Sequence, residues 1–186
     1  MTRNRCLIGV LPILAAAFFL TGCDSGSKEF VRPKPVMVFQ PKDMTDSLAA
    51  LIAAQREVYA SNVVQRLTRD GQPVPAHLMQ DVIANVAARG VEFHFVGRSL
   101  WPINPRNAPQ TETERKGLEF VAANPGKNFY GEESLGGRRY FTAVYADRAV
   151  VPACAACHNS HAQSPKKDFQ PGAVMGGIVV RVPLEL

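Results

Sequence analysis

The 186-residue chain lacks several features that would place it in a familiar class. Its N-terminal apolar run, residues 7–20, falls short of the roughly 20 residues that a membrane-spanning helix needs. Lysine and arginine are scattered, so the net charge of +5 does not indicate a nucleic-acid partner. Four cysteines are too few for a disulfide-dense scaffold, and no repeat of about 20–50 residues suggests a solenoid. The 46% hydrophobic content excludes a chiefly disordered protein, which leaves one domain with short extensions.

The first residues are typical of an export signal. Two arginines precede the short apolar run and small residues follow it, which is the pattern of a secretory signal peptide. The run ends in residues 20–23 (LTGC), which resemble the lipobox of bacterial lipoproteins. That resemblance implies removal of residues 1–22 and a lipid on Cys23 that anchors the protein to a membrane. The alternative is ordinary secretion with a spare cysteine.

The residue after the lipobox bears on location. Asp24 resembles the signal that retains enteric-type lipoproteins at the inner membrane. We therefore expect a lipid anchor on the periplasmic side of the bacterial inner membrane, with the outer membrane as the alternative. Residues 23–42 contain three prolines and predict an extended tether. The folded domain is expected over residues 43–186.

Helical and strand-like patterns alternate along this domain. Helical spacing predicts a long first helix that stops at Gly71, a second after Pro75 that ends by Gly90, and a third opened by the capping box at residues 111–114. Strands are predicted at residues 91–96, 140–145 and 178–182, and an irregular proline-rich loop at residues 101–109. The pattern indicates an α+β domain with a mostly antiparallel sheet flanked by helices.

The segment from Cys154 to His158 carries the chemistry. Its spacing, C-x-x-C-H, is the attachment motif of c-type haem. Two thiols one turn apart can each add to one haem vinyl group, and the adjacent histidine then reaches the iron. A structural disulfide, a thioredoxin-like pair and half of a zinc site are the alternatives. We predict one covalently attached haem c, held by Cys154 and Cys157, with His158 as the proximal iron ligand.

Three separated segments resemble a family of PAS-like c-type haem domains. They are residues 98–109 (RSLWPINPRNAP), 154–168 (CAACHNSHAQSPKKD) and 172–178 (GAVMGGI). Members of that family occur alone or as extracytoplasmic sensor modules of chemoreceptors, kinases and cyclases. The resemblance implies a PAS-like antiparallel sheet flanked by helices, and it places His158 at the proximal ligand. Some relatives take a distal cysteine from an N-terminal helix, and the mature chain has none there.

The sixth iron ligand is therefore left open by the sequence. Met79 lies on the apolar side of its predicted helix and is our first candidate. His94 and Met175 are alternatives, as is a vacant or water-filled position, and a buried methionine is also an ordinary core residue. His161 follows His158 too closely to reach the opposite haem face. A thioether ligand favours the ferrous state, whereas an open position admits small ligands such as CO, NO or O₂.

The proline-rich loop supplies further candidate contacts. Trp101 is a candidate wall of the haem pocket, and Arg98 or Arg106 could pair with a haem propionate through a bidentate guanidinium. The alternative is a stiff surface loop with solvated arginines.

Three functions fit these features. The first is a membrane-anchored periplasmic cytochrome that exchanges single electrons with a redox protein. The second is a haem-based redox or gas sensor that signals through a partner protein. A peroxidase-like enzyme is third, because it needs an open iron and a distal base. No catalytic residue is assigned, and the long first helix allows a homodimer without requiring one.

Overall fold

The computed structural model describes residues 40–74, 78–90 and 93–185, with only the backbone described at Met79 and Gln80. The signal peptide, Cys23 and most of the tether lie outside the described residues. The helices are α1 (Pro41–Tyr59), α2 (Gln65–Arg69), α3 (Leu78–Ala87), α4 (Glu112–Ala123) and α5 (Pro152–Ser160). The strands are β1 (His94–Arg98), β2 (Phe129–Leu135), β3 (Arg138–Arg148) and β4 (Val174–Pro183).

The strands form one antiparallel sheet in the order β1-β4-β3-β2. Strand β4 is central although it comes after the others in the chain, and it pairs with both β1 and β3. The expected α+β domain with an antiparallel sheet flanked by helices is therefore confirmed.

Each face of the sheet carries its own apolar core because side chains alternate along the strands. Helix α1 covers one face, where Ala49 and Ile52 pack against Ala143, Ile178 and Val180. Helix α4 covers the opposite face, with a core of Leu118, Val121, Val144 and Val179.

A buried ionic network also joins α4 to the sheet. Glu114 lies in the first turn of α4, is only 1% exposed, and accepts hydrogen bonds from Arg98 Nε at 3.1 Å and Arg181 Nη2 at 2.7 Å. Arg181 also donates to Glu133 Oε1 at 2.7 Å, and Thr142 donates to the same oxygen. Removing one member would leave a buried charge without its partner. The network therefore holds α4 in one position against the strands.

Helix α1 has a polar anchor of its own. Asp46 Oδ1 accepts hydrogen bonds from the hydroxyls of Tyr130 and Tyr145, each at 2.7 Å, and Oδ2 accepts from Lys42 Nζ at 2.6 Å. Burial is the main reason why the pKa of Tyr145 lies well above its usual value. These bonds fix the first half of α1 against β2 and β3.

Several predicted boundaries needed correction. The first helix begins at Pro41, whose fixed φ suits the first helical position, and Asp43 lies in its first turn. Between α1 and α2, residues 60–64 form a π-helical turn that the sequence analysis did not predict. Among the described residues the first strand is His94–Arg98, which extends past the predicted end at residue 96, while residues 91 and 92 lie outside the described part. No prediction was made for β2 or α5.

Other local predictions are confirmed. Thr111 caps α4 by accepting a hydrogen bond from the Glu114 backbone N–H at 3.1 Å. Gly71 and Gly90 follow the first and second helical regions with φ of 67°, a conformation that glycine adopts without strain. The proline-rich loop is irregular apart from a short 3₁₀ turn at Pro105–Asn107. Within the described ranges, no helix has both the length and the apolar character needed to cross a membrane.

Candidate functional site

Helix α5 presents the two cysteines and the histidine together. Pro152 occupies its first turn and the buried Val151 precedes it, so the helix starts against the core. Cys154 and Cys157 are three residues apart on a helix and therefore lie on the same side, with His158 next to the second thiol. Both thiols are free, Cys154 partly buried and Cys157 exposed. The motif is thus displayed with its thiols available for reaction.

The imidazole of His158 is half-buried and incompletely satisfied. Its Nδ1 atom is inaccessible to solvent and has no hydrogen-bond partner among the described residues. Burial lowers the pKa of His158 below its usual value of 6.5, and the electrostatic influence of the neighbouring His161 and Arg56 lowers it further. The neutral form is the one that offers a nitrogen lone pair to a metal. The surroundings of His158 therefore favour the neutral imidazole over the imidazolium.

An aromatic layer supports this imidazole. The ring of Phe169 meets the ring of His158 nearly at right angles, with centroids 6.0 Å apart. Trp101 contacts the same phenylalanine at 5.8 Å, also edge to face. Phe169 is buried in a third core cluster that includes Ala155 and Met175. The histidine consequently rests on the hydrophobic core.

Two cavities meet at His158. We call the first the thiol cavity: it measures about 680 Å³, and its wall includes Cys154, Cys157, His158 and Met175. The second, the loop cavity, measures about 500 Å³ and lies between α5 and the proline-rich loop. Both volumes fall within the roughly 300–1,000 Å³ that is usual for cofactor and ligand sites. Because it is lined by both thiols and the imidazole, the thiol cavity is the candidate site.

The opposite wall of the thiol cavity comes from the first helical region and the segment after it. Its residues are Arg56, Val64, Thr68, Gln72 and Val74. Val64 ends the π-helical turn and Thr68 follows in α2. Such turns inside helices occur frequently at functional sites, because they shift the register of the side chains beyond them.

Comparison with known proteins places this region in a family. The model of the Tll0287-like family matches residues 37–183, most of the chain. The chain belongs to the Tll0287-like family. Among solved structures, it is similar to that of the cyanobacterial haem protein Tll0287, with 16% sequence identity and a TM-score of 0.51. The alignment covers 78% of this chain and 98% of that chain, which shows a shared fold. No curated protein matches the chain.

Within the Tll0287-like region, the predicted loop residues take different positions. Trp101 lines the loop cavity, beside His158. Arg98 lines neither cavity: its Nε donates to Glu114, and its Nη1 donates to the Arg106 carbonyl at 2.8 Å. The Arg106 side chain is exposed and also lies outside both described linings. In this structure Arg98 is thus bound to protein groups, because Glu114 competes for the guanidinium expected to meet a propionate.

The three candidates for the sixth ligand are separated by the structure. Met175 is buried and lines the thiol cavity. His94 is exposed on β1, faces Tyr140 at 6.2 Å between ring centroids, and lines neither cavity. Met79 lies in α3, but its side chain is outside the described part, as is His77. His161 lines the loop cavity, and its Nδ1 accepts a hydrogen bond from the Gln163 backbone N–H at 3.2 Å.

Arg56 was not among the residues predicted from the sequence. Its guanidinium lines the thiol cavity, donates to the Arg148 carbonyl at 3.0 Å and lies 2.8 Å from Asp147 Oδ1. Burial raises the pKa of Asp147, while the positive charge of Arg56 opposes that rise. Arg56 is a cation at the wall of the candidate site, a role the sequence analysis gave to Arg98 or Arg106. No local pattern identifies it, since its partners lie about ninety residues away along the chain.

Metal binding by side chains alone finds no support in the described residues. No three histidine, cysteine, aspartate or glutamate side chains come together there in a group that could hold an ion.

Proposed function

We propose that the chain is a c-type cytochrome that holds one haem through Cys154 and Cys157 and ligates its iron through His158. The observation that carries this proposal is the thiol cavity, which brings two free thiols and a desolvated imidazole to one wall. The residues fit the group: the cavity is largely apolar, and its lining brings together two thiols and an imidazole, the donor set that a c-type haem uses. Membership of the Tll0287-like family, and the haem named in its solved relative, support the same assignment.

Different residues of the chain would attach the haem, balance its charge and exclude water. Cys154 and Cys157 would each hold the haem through a thioether, since addition of an S–H across a vinyl group would form the carbon–sulfur bond, pass the hydrogen to the neighbouring carbon and need no oxidant. Arg56 lines the same cavity, and its guanidinium suits a carboxylate, but a propionate there would share it with Asp147 and the Arg148 carbonyl. Val64 and Val74 help to exclude water from the cavity. Haem iron supplies a one-electron change between its ferric and ferrous states.

We further propose that the domain is PAS-like and acts as an electron carrier anchored by a lipid on Cys23 at the periplasmic side of the inner membrane. The C-x-x-C-H motif and the lipobox resemblance support this proposal. A haem-based redox or gas sensor is the second candidate function. The large cavity beside His158 favours it, because an open sixth position there would admit a small ligand.

Covalent attachment is tested with the full chain, produced in a bacterium that assembles c-type haem. We expect one haem per wild-type chain that survives denaturing electrophoresis, and none on the Cys154→Ser/Cys157→Ser double variant. Cys23→Ser is the matched control. This variant should retain the haem but should no longer be found in the membrane fraction, because it lacks the lipidated cysteine. A wild-type chain without covalent haem would refute the assignment, as would a double variant that retained it.

Experiments on the same purified protein distinguish the electron-carrier function from the gas-sensor function. A carrier should titrate reversibly with one electron and show a ferrous spectrum that CO leaves unchanged. In that case Met175→Leu, which preserves apolar volume, should create a CO-binding iron if Met175 is the sixth ligand. A wild-type ferrous protein that binds CO would instead contradict the carrier proposal and favour the gas sensor.

A further inference from the structure

We propose that Asn159 is a positioning residue for the iron ligand: it fixes Phe169, and Phe169 in turn fixes the imidazole plane of His158. This inference rests on the proposed haem function. It concerns how the ligand is held, which the attachment motif does not specify.

The starting point is the way in which the His158 ring is oriented. A histidine that binds a metal almost always donates its second ring N–H to a carbonyl or carboxylate, which fixes the rotation of the ring. His158 Nδ1 has no such partner among the described residues, although the atom is buried. Its ring is instead supported by the Phe169 ring, at 6.0 Å and an interplanar angle of 87°. Aromatic packing therefore takes the place of the usual hydrogen bond.

Phe169 can serve this purpose because its own ring is enclosed. It is 3% exposed and lies against Trp101 at 5.8 Å on another side. Lys166 Nζ lies 5.3 Å from the centroids of both Trp101 and Phe169, and it pairs with Asp168 at 2.6 Å. A ring bounded by a core, an indole and a cation has little freedom to rotate.

Asn159 fixes the backbone that carries this ring. Its Nδ2 donates to the Phe169 carbonyl at 2.8 Å, and its Oδ1 accepts from the Phe169 backbone N–H at 3.0 Å. Only an amide side chain offers a donor and an acceptor in this arrangement, so aspartate and leucine could not replace it. Asn159 also directly follows His158 in the last turn of α5. The ligand and its support are thus joined across ten residues by one side chain.

Removing the Asn159 hydrogen bonds to Phe169 would change the reduction potential of the iron and not only the stability of the fold. Groups that orient a metal ligand typically contribute 10–100-fold to metal affinity or activity. A less constrained imidazole bonds the ferric iron less strongly, so the ferrous fraction at a given ambient potential increases. We expect about a tenfold change in the ferric-to-ferrous ratio, equivalent to about 59 mV for one electron.

The experiment compares Asn159→Ala, Phe169→Leu and the double variant in the haem-loaded full chain. The readouts are the reduction potential and the spread of the haem methyl resonances in proton NMR of the ferric protein, which reports the imidazole orientation. Each single variant should raise the potential and change the spread. The double variant should match Phe169→Leu, because residues that act in series are not additive. Asn124→Ala is the matched control: it also removes an asparagine-to-backbone bond, from Nδ2 to the Phe120 carbonyl, and should leave both readouts unchanged.

Two results would overturn the inference. One is a wild-type potential and NMR spread in Asn159→Ala, and the other is a double variant whose shift equals the sum of the singles. If Asn159→Ala does not accumulate, Phe169→Leu and Phe169→Tyr are compared instead. The tyrosine variant keeps the aromatic ring and should resemble the wild type. Equal effects of Phe169→Leu and Phe169→Tyr on the potential and the NMR spread would refute the positioning role. A wild-type chain without covalent haem would instead refute the proposed function.

Discussion

Replacing Glu114 by alanine should destabilise the domain strongly. The carboxylate is 1% exposed and accepts hydrogen bonds from Arg98, Arg181 and the Gln110 backbone N–H. Breaking a buried ion pair by removing one partner costs about 3–5 kcal/mol. Arg181 would keep its bond to Glu133, and Arg98 its bond to the Arg106 carbonyl, so we expect the lower end, about 3 kcal/mol.

The assay is thermal and denaturant unfolding of the purified full chain. For a protein of this size, a loss of about 3 kcal/mol should lower the Tm by about 6–12 °C. Glu119→Ala is the control on the same helix, because Glu119 is half-exposed and pairs with Arg115 in solvent. An exposed pair of this kind contributes at most about 1 kcal/mol. If Glu114→Ala and Glu119→Ala lowered the free energy of unfolding equally, the conclusion that the buried network holds α4 against the strands would be wrong.

Two further perturbations test the packing of α1 and α4. Burial raises the pKa of Asp46, but hydrogen bonds from Lys42, Tyr145 and Tyr130 outweigh it and hold the pKa below 3.8. The contribution of the Asp46 carboxylate to stability should be present above about pH 4 and be lost as the pH falls through its folded-state pKa. Asp46→Asn should therefore make the free energy of unfolding less dependent on pH in that range. Gly117→Ala should cost about 1–3 kcal/mol in denaturant unfolding, since a Cβ there would lie 2.9 Å from Val144 Cβ; an unchanged free energy of unfolding would show that α4 moves away freely.

Local signals in the sequence predicted much of the secondary structure. The Thr111 cap and the glycines after the first and second helical regions act within a few residues, so their consequences are visible without knowledge of the fold. The C-x-x-C-H spacing likewise describes one turn of helix, and the structure does place the two thiols and the imidazole at one cavity. Neighbouring residues sufficed for these features.

Strand β2 could not be predicted from its alternation of polar and apolar residues. Its Glu133 points toward the interior, where Arg181 neutralises it from 48 positions later in the chain. A charged residue at an inward position looks like a loop until that partner is known. The Gly136-Gly137 pair, with φ of 58° and 79°, was the usable signal, because positive φ at both residues favours a tight hairpin turn.

The cations near the site show the same limitation. Arg98 was a reasonable candidate for a propionate, but Glu114 holds its guanidinium beneath α4. Arg56 reaches the thiol cavity because α1 crosses the sheet near Asp147, a contact that depends on the whole topology. Which arginine lines a cavity is decided by tertiary packing, and the composition of a loop does not reveal it.

The central position of β4 has a consequence for the order of events when the protein is made. Residues 174–183 leave the ribosome after α5, yet without them β1 and β3 have no strand between them. The sheet that supports α5 therefore cannot be complete until the chain beyond Cys154 and Cys157 is present.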